Sequence, residues 1–300
     1  MLLAIFFLPM NGERHMSDFG KRVFTSFSGS IAAAVALSAL MLAAGPAGLA
    51  QNEKRTVYKE NDFHWQGNLK PGQTLEIIGR NGGIDATGAA AEAAQVEAIK
   101  ESHGDGNEVF VEVVEYPDGV TICAVYEKDA QPGRCHHGGA DSDHHGWSWH
   151  DNNHTKLNFN VKVPRGVLLK AVTTNGGIRG RDLNSVVEAA TTNGNVDVST
   201  SEWVSGRTTN GGVTVAMGSA KWSGEIELVT TNGSVHASLP ASAEFKVRAA
   251  TTNGGIHTDF PVTVMGSFGA KDLSGTVGGG GRDLRMATTN GGIEIRKSGS

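Results

Sequence analysis

Hydrophobic and polar positions alternate through most of this chain, phased on a short recurring element, usually Thr-Thr-Asn-Gly. Its asparagines are Asn81, Asn175, Asn193, Asn210, Asn232, Asn253 and Asn290. With Asn as position zero, +3 is Ile84, Ile178, Val196, Val213, Val235, Ile256 and Ile293. Position −6 is Leu75, Leu169, Val187, Val204, Ile226, Val247 and Leu284, and −4 is apolar or glycine throughout. Between them, −5 is Glu76, Lys170, Glu188, Ser205, Glu227, Arg248 and Arg285; +4 is Asp85, Arg179, Asp197, Thr214, His236, His257 and Glu294. A period of two with one apolar face is a strand buried on one side. The inward set is even before the asparagine and odd after it. A corner therefore lies at Asn-Gly, where both residues tolerate positive φ.

The middle five asparagines are 18, 17, 22 and 21 residues apart, the last gap is 37, and such a period points to stacked coils. In a parallel β-solenoid each unit is one rung, stacked about 4.8 Å from the next. The alternative is an antiparallel β-meander or sandwich, with Asn-Gly as a type I′ hairpin turn. The long segment before each corner and the short one after it favour the solenoid, as do 41 glycines and only 6% aromatic residues. Taking Ser274 as a disguised corner splits the 37-residue gap and makes eight rungs. Stacking predicts ladders of like side chains through the two threonines and through Asn175, Asn193, Asn210, Asn232, Asn253 and Asn290. Chain order makes Asn290 the end of that ladder, with Glu294, Arg296 and Lys297 blunting an exposed last rung.

Ninety-four residues separate Asn81 from Asn175, too many for one rung. Within them Val109, Val111 and Val113 alternate, Pro117-Asp118-Gly119 turns, and the chain returns to Tyr126: an inserted hairpin over 109–126. A Cys- and His-rich loop follows over 127–156. Position −3 breaks the polar outward pattern with Ile78, Val172, Ala190, Arg207, Val229, Ala250 and Ala287. Such a strip docks a partner, the insertion or a second protomer, or it reflects strand propensity and small size.

The N-terminus changes the domain count. Lys21 and Arg22 precede the apolar run Ile31 to Ala44, which breaks at Gly45-Pro46 and ends Gly48-Leu49-Ala50. This is the pattern of a cleaved secretory signal over 1–50, with Met1 or Met16 as the start and 51–300 as a single solenoid domain. No further apolar span follows. Against 31 Asp and Glu stand 26 Lys and Arg, a net charge of −5, which argues against nucleic acid as a partner. Two cysteines in an exported chain, Cys123 and Cys135, predict a structural disulfide.

Candidate chemistry is sparse. Six of the eleven histidines crowd into one stretch: His136, His137, His144, His145, His150 and His154, with Asp141, Asp143 and Asp151 among them. Imidazole with carboxylate is a first shell for a divalent transition metal. The Gly-, Asp- and Ser-rich context equally describes a solvated loop with weak affinity. His236 and His257 share the outward +4 position of consecutive units. Gly-x-Ser-x-Gly, His-Glu-x-x-His and a phosphate-binding glycine loop are absent, and the run Gly278 to Gly281 has no following Lys, so it reads as a bend between rungs. Asp85, Asp197 and Glu294 fall on non-adjacent rungs, which does not make an acid/base pair. No cofactor or catalytic residue is expected.

The Thr-Thr-Asn-Gly-Gly-Ile units, the stretch Leu273 to Gly281 and Asn81-Gly82-Gly83-Ile84 resemble the bacterial secreted β-strand-repeat family labelled "putative adhesin", a domain of undefined function. The resemblance implies an exported β-solenoid at the cell envelope and carries over no catalytic residues. The expected function is an adhesin-like or structural interaction scaffold in the periplasm, at the cell surface or secreted, with envelope proteins or surface glycans as partners. The alternative is a periplasmic metal-binding protein using the histidine loop.

Overall fold

The computed structural model describes residues 53–90, 93–101, 109–126, 135, 155–264 and 269–299, all in strands and their connections. In chain order the strands begin with β1 (Lys54–Tyr58), β2 (Asp62–Asn68), β3 (Thr74–Ile78), β4 (Ile84–Gly88), β5 (Ala93–Glu101), β6 (Val109–Tyr116), β7 (Gly119–Tyr126) and β8 (Lys156–Val163). The regular array follows: β9 (Leu168–Val172), β10 (Ile178–Leu183), β11 (Val187–Ala190), β12 (Val196–Thr200), β13 (Val204–Arg207), β14 (Val213–Met217), β15 (Glu225–Val229) and β16 (Val235–Pro240). The C-terminal strands are β17 (Phe245–Asn253), β18 (Ile256–Thr258), β19 (Val262–Val264), β20 (Asp272–Val277), β21 (Asp283–Asn290) and β22 (Ile293–Ser298).

The strand before each Asn-Gly joins one sheet and the strand after it joins the other. The first sheet runs β1-β6-β7-β3-β9-β11-β13-β15-β21-β17-β20-β19, and the second β18-β22-β16-β14-β12-β10-β4-β8-β5-β2. Successive rungs pair in parallel with like positions in register: Val187 lies between Leu169 and Val204, and Val196 between Ile178 and Val213. The fold is a parallel β-solenoid, and the antiparallel meander is excluded.

Packing follows the sequence phase. Positions −6, −4 and +3 fill a single core between the sheets; Leu75, Ile77, Ile84, Val187, Val196, Val204 and Val213 are fully buried. Small aliphatic residues suffice where every rung has a neighbour on both sides. Aromatic rings close the two ends: Phe63 and Phe159 at one, and Phe245 with Trp222 and Phe260 at the other.

The corner is a hydrogen-bonding unit. Each asparagine Nδ2 donates to the Oδ1 of its neighbour at 2.8 Å, in six unbroken steps from Asn81 to Asn253. The threonine at −2 is buried, and its hydroxyl donates to the carbonyl of the preceding rung's glycine, as in Thr191 to Gly176 (2.9 Å) and Thr230 to Gly211 (2.7 Å). The threonines therefore bond backbone rather than stacking hydroxyl on hydroxyl. The glycine after the asparagine is required by close approach: a Cβ on Gly211 would lie 2.1 Å from the Gly194 carbonyl oxygen. Among the described residues Asp182 alone is a non-glycine with positive φ, so the asparagines serve through their amides and not through a left-handed backbone.

Chain order and stacking order part company at both ends. The last rung, β21–β22, enters between β15–β16 and β17–β18. Asn290 is consequently interior, Asn253 ends the ladder, and β22 is not the exposed edge that chain order suggests. Its charges do not blunt a free rung. Ser274 is no corner either: it lies in β20, which runs antiparallel to β17 with Ser274 opposite Arg248, and β19 pairs antiparallel with β20. The glycine run Gly278 to Gly281 is the bend into β21, with Gly278, Gly280 and Gly281 at positive φ.

An eighth rung exists elsewhere. The 109–126 hairpin forms as β6 and β7, but β7 also runs parallel to β3 and β8 parallel to β4. β7 and β8 are thus a rung in which no Asn-Gly corner joins the two strands, which are separated in sequence by residues 127–155. β7 is buried on both faces, as a central parallel strand must be. Antiparallel strands then finish each sheet: β6 and β1 on one, β5 and β2 on the other.

Asn210 and Asn290 each donate and accept one ladder bond, whereas Asn253 only donates. At about 1 kcal/mol per bond, Asn210→Ala and Asn290→Ala should lower stability by similar amounts and Asn253→Ala by roughly half as much. Denaturant midpoints at unchanged m-value measure this; a near-neutral Asn290→Ala contradicts the interior position of the last rung.

Candidate functional site

With the repeat motif turned to internal bonding, chemistry is left to the outward positions and to the corner loop between β7 and β8. The outer face of the first sheet divides into a covered end and an open run. At the covered end Cys123, on β7, forms a disulfide with Cys135. Cys135 is wholly buried and packs with Val114, Tyr116, Val125, Ile78 and Phe110 as a second, small core on the outside of the sheet. Ile78 thus shows what covers the apolar −3 strip at this end.

That cover buries polar groups too. Glu76 stands at −5, a solvent position in other rungs, yet it is fully buried here. Its carboxylate accepts the Thr121 hydroxyl at 2.8 Å, and Thr121 shares a 3.2 Å bond with the Tyr116 hydroxyl. Burial, with the nearby charges of Glu76 and Asp118 and against the Thr121 bond, pushes the Tyr116 phenol up to about 12. Glu112, also buried, pairs with Arg55 from the edge strand β1. The two ends of the corner loop meet where Tyr126 donates to the Thr155 carbonyl at 3.3 Å. The candidate metal ligands His136, His137, His144, His145, His150 and His154 lie outside the described residues.

Along the open run of the first sheet, outward residues pair across rungs: Lys170 with Glu188 (3.7 Å), and Glu227 with both Arg207 (2.7 Å) and Arg285 (2.8 Å). The −3 residues Val172, Ala190, Val229 and Ala287 are half-buried between these rows, while Arg207 and Ala250 are exposed.

On the second sheet Asp85 and Asp197 flank Arg179, the latter 3.9 Å from Asp85, which keeps the two carboxylates apart. His236 and His257 are not neighbours: β22 puts Glu294 between them, in register with both. Glu294 bonds Arg296 at 2.8 Å and His236 at 3.0 Å, and His257 lies 3.6 Å from Asp259. The Arg296 bond first, and His236 after it, hold the Glu294 carboxyl below its ordinary range. With one oxygen on Arg296, Glu294 is poorly placed to bridge a cation between the histidines. Among the described residues, no three His, Cys, Asp or Glu side chains converge as metal ligands. An open groove of about 470 Å³ crosses the C-terminal ends of β10, β12 and β14, lined by Asp182, Asn184, Ser199, Ser201 and Ser298. No helix among the described residues is long and apolar enough to cross a membrane.

The doubly buried run of β7 was the one cue in the sequence to the eighth rung. Nothing local marks Glu76, Thr121 and Tyr116 as a buried set, because what buries them comes from residues distant along the chain.

A phenol held neutral by the fold adds stability that is complete below its unfolded value of 10.0 and is lost as pH rises through about 12. Melting temperature should therefore fall across that window, and Tyr116→Phe should flatten the fall while costing little at neutral pH. Thermal melts beside a tyrosinate absorbance titration test this; an unchanged alkaline slope in the variant contradicts it.

No curated protein matches the chain. A solved structure described as a "putative cell adhesion protein" from Clostridium sporogenes is 12% identical, covering 83% of this chain and all of its own, at a TM-score of 0.42. A "putative adhesin" from Bacteroides fragilis is 9% identical, covering 78% of this chain and 96% of its own, at 0.28. Likeness at these levels bears no weight for fold or function. The family match is different in kind, because it falls on the rungs themselves. Residues 161–296, from within β8 to the middle of β22, match the Toastrack DUF4097 family model.

Proposed function

We propose that this chain is an exported, non-enzymatic scaffold of the cell envelope, adhesin-like or structural, whose mature part is the solenoid of residues 51–300. The supporting observation is the Cys123–Cys135 disulfide at the root of the corner loop. A disulfide of this kind persists in an oxidising compartment and not in a reducing cytosol. Around it the residue chemistry is that of a rigid display surface. Carboxylates and guanidiniums are spent on one another across rungs, and the asparagines and threonines on holding the rungs together. What remains for partners is the open outer faces, the hydroxyl-lined groove and the corner loop, with envelope proteins or surface glycans as the expected ligands.

The experiment is cell fractionation of the full chain with N-terminal sequencing and whole-cell protease treatment. The mature protein should begin at or near Gln51, outside the inner membrane. Protease digestion of intact cells separates surface display from the periplasm. A full-length chain recovered from the cytoplasm with Cys123 and Cys135 reduced defeats the proposal.

A second reading has its own observation in favour. The tight Asn-Gly corner is replaced in one rung by a loop that contains six histidines and is pinned by the disulfide and by Tyr126 on Thr155. Weak capture of a divalent transition metal by that loop is consistent with the scaffold. Calorimetric titration with Zn²⁺ or Cu²⁺ should show saturable heat that disappears when residues 136–154 are deleted; absence of saturable heat removes this reading.

A further inference from the structure

The seven Asn-Gly pairs of the repeat look chemically equivalent along the chain, and Asn-Gly is the dipeptide most prone to lose its side-chain amide. The reaction starts when the backbone nitrogen of the glycine attacks the asparagine Cγ. A glycine N–H held in a hydrogen bond, within a rigid corner, is poorly placed for that attack. Six of the seven are so held. Gly82 donates to the Asn175 carbonyl, Gly176 to Asn193, Gly194 to Asn210, Gly211 to Asn232, Gly233 to Asn290 and Gly291 to Asn253, all at 2.8–3.0 Å. Each uses the next rung as acceptor. Gly254 has no next rung, and among the described residues its N–H has no hydrogen-bond partner.

The neighbourhood of Gly254 differs in two further ways. Gly254 is exposed, whereas the glycine after each of the other six asparagines (Gly82, Gly176, Gly194, Gly211, Gly233 and Gly291) is partly or fully covered by the adjoining corner. Asn253 also keeps only half of its ladder bonding, donating to Asn290 while no Nδ2 donates to its own Oδ1. Its position follows from the stacking order alone. Asn290, last along the chain, is enclosed between Asn232 and Asn253 because β21–β22 enters the stack from outside.

We propose that Asn253 is the deamidation site among the repeat corners, with the other six repeat Asn-Gly pairs protected by the stack. The Gly254 nitrogen bonds to Cγ of Asn253, the Cγ–Nδ2 bond breaks, and the side-chain nitrogen leaves as ammonia with the proton given up by Gly254. Water then opens the cyclic imide at either carbonyl, giving aspartate or isoaspartate. The products change the last step of the ladder. Where the Asn253 amide donates to the Asn290 Oδ1, a carboxylate presents an acceptor to an acceptor, and isoaspartate adds a backbone atom at the corner. Modification thus loosens the contact between β17 and β21, which together with the β18–β22 pair joins the terminal strands β17 to β20 to the array.

The test holds the full folded chain in mildly alkaline buffer and follows the seven repeat Asn-Gly peptides by mass spectrometry, with a second sample in concentrated urea. Interior corners react only after a local opening that breaks several bonds at once, so Asn253 should convert at least about tenfold faster than any interior asparagine in the folded sample. In urea the seven should convert at similar rates. The Asn253→Asp chain should melt at the lower temperature of the aged sample, and Asn253→Gln should not age on the same timescale. An interior asparagine converting as fast as Asn253 in the folded chain overturns the proposal. So does an Asn253 that stays intact while its urea counterpart reacts.

Discussion

Parallel stacking at about 4.8 Å brings every residue face to face with its own equivalent in the next rung, and the rest of the structure answers to that constraint. Most polar side chains cannot satisfy a copy of themselves. A primary amide can, because it donates on one side and accepts on the other, which is why asparagine occupies the corner and six steps of the ladder close at a common 2.8 Å. Threonine solves the same problem differently, by reaching past its equivalent to a glycine carbonyl. Glycine is needed beside them because the backbones approach too closely for a Cβ.

Charged residues obey the constraint by alternating. In stacking order the −5 positions read Glu76, Lys170, Glu188, Ser205, Glu227, Arg285 and Arg248, and three of the four charged pairs that meet are of opposite sign. Where two arginines do adjoin, at Arg285 and Arg248, each leans on carboxylates instead: Arg285 on Glu227, and Arg248 on Asp283 and Glu225. Isolated exposed pairs of this sort contribute little to stability. Their effect is to make the wrong stacking order unfavourable, and in chain order Glu294 would not separate His236 from His257 as it does in the fold.

An array of identical units also needs ends, and this chain makes them by leaving its own sequence order. At one end it builds β5 and β6, completes the rung β7–β8 and returns to β9 on the far side of β3. At the other it overshoots to β17–β18, adds β19 and β20, and comes back to fill the gap with β21–β22. Both detours leave the interior rungs parallel while most outer edges are antiparallel or short, which limits addition of further strands. The exception is the corner at Asn253 and Gly254, where unsatisfied ladder groups meet solvent.

The sequence by itself determined the rung. Period-two alternation, its change of parity at Asn-Gly and the β-branched +3 residues are local facts, and they specify a strand, a corner and a strand wherever they occur. The hairpin of 109–126 and the pairing of Cys123 with Cys135 were equally legible, being short-range. Tertiary structure alone decided which rung lies beside which, because one inward-facing rung fits against another nearly as well in any order. Only the collapsed stack, with its charge rows, aromatic plugs and connection lengths, distinguishes them. For that reason Ser274 passed for a corner, Asn290 for an end and Glu76 for a solvent residue. Burial and hydrogen-bond partnership at those positions are set by residues far away along the chain.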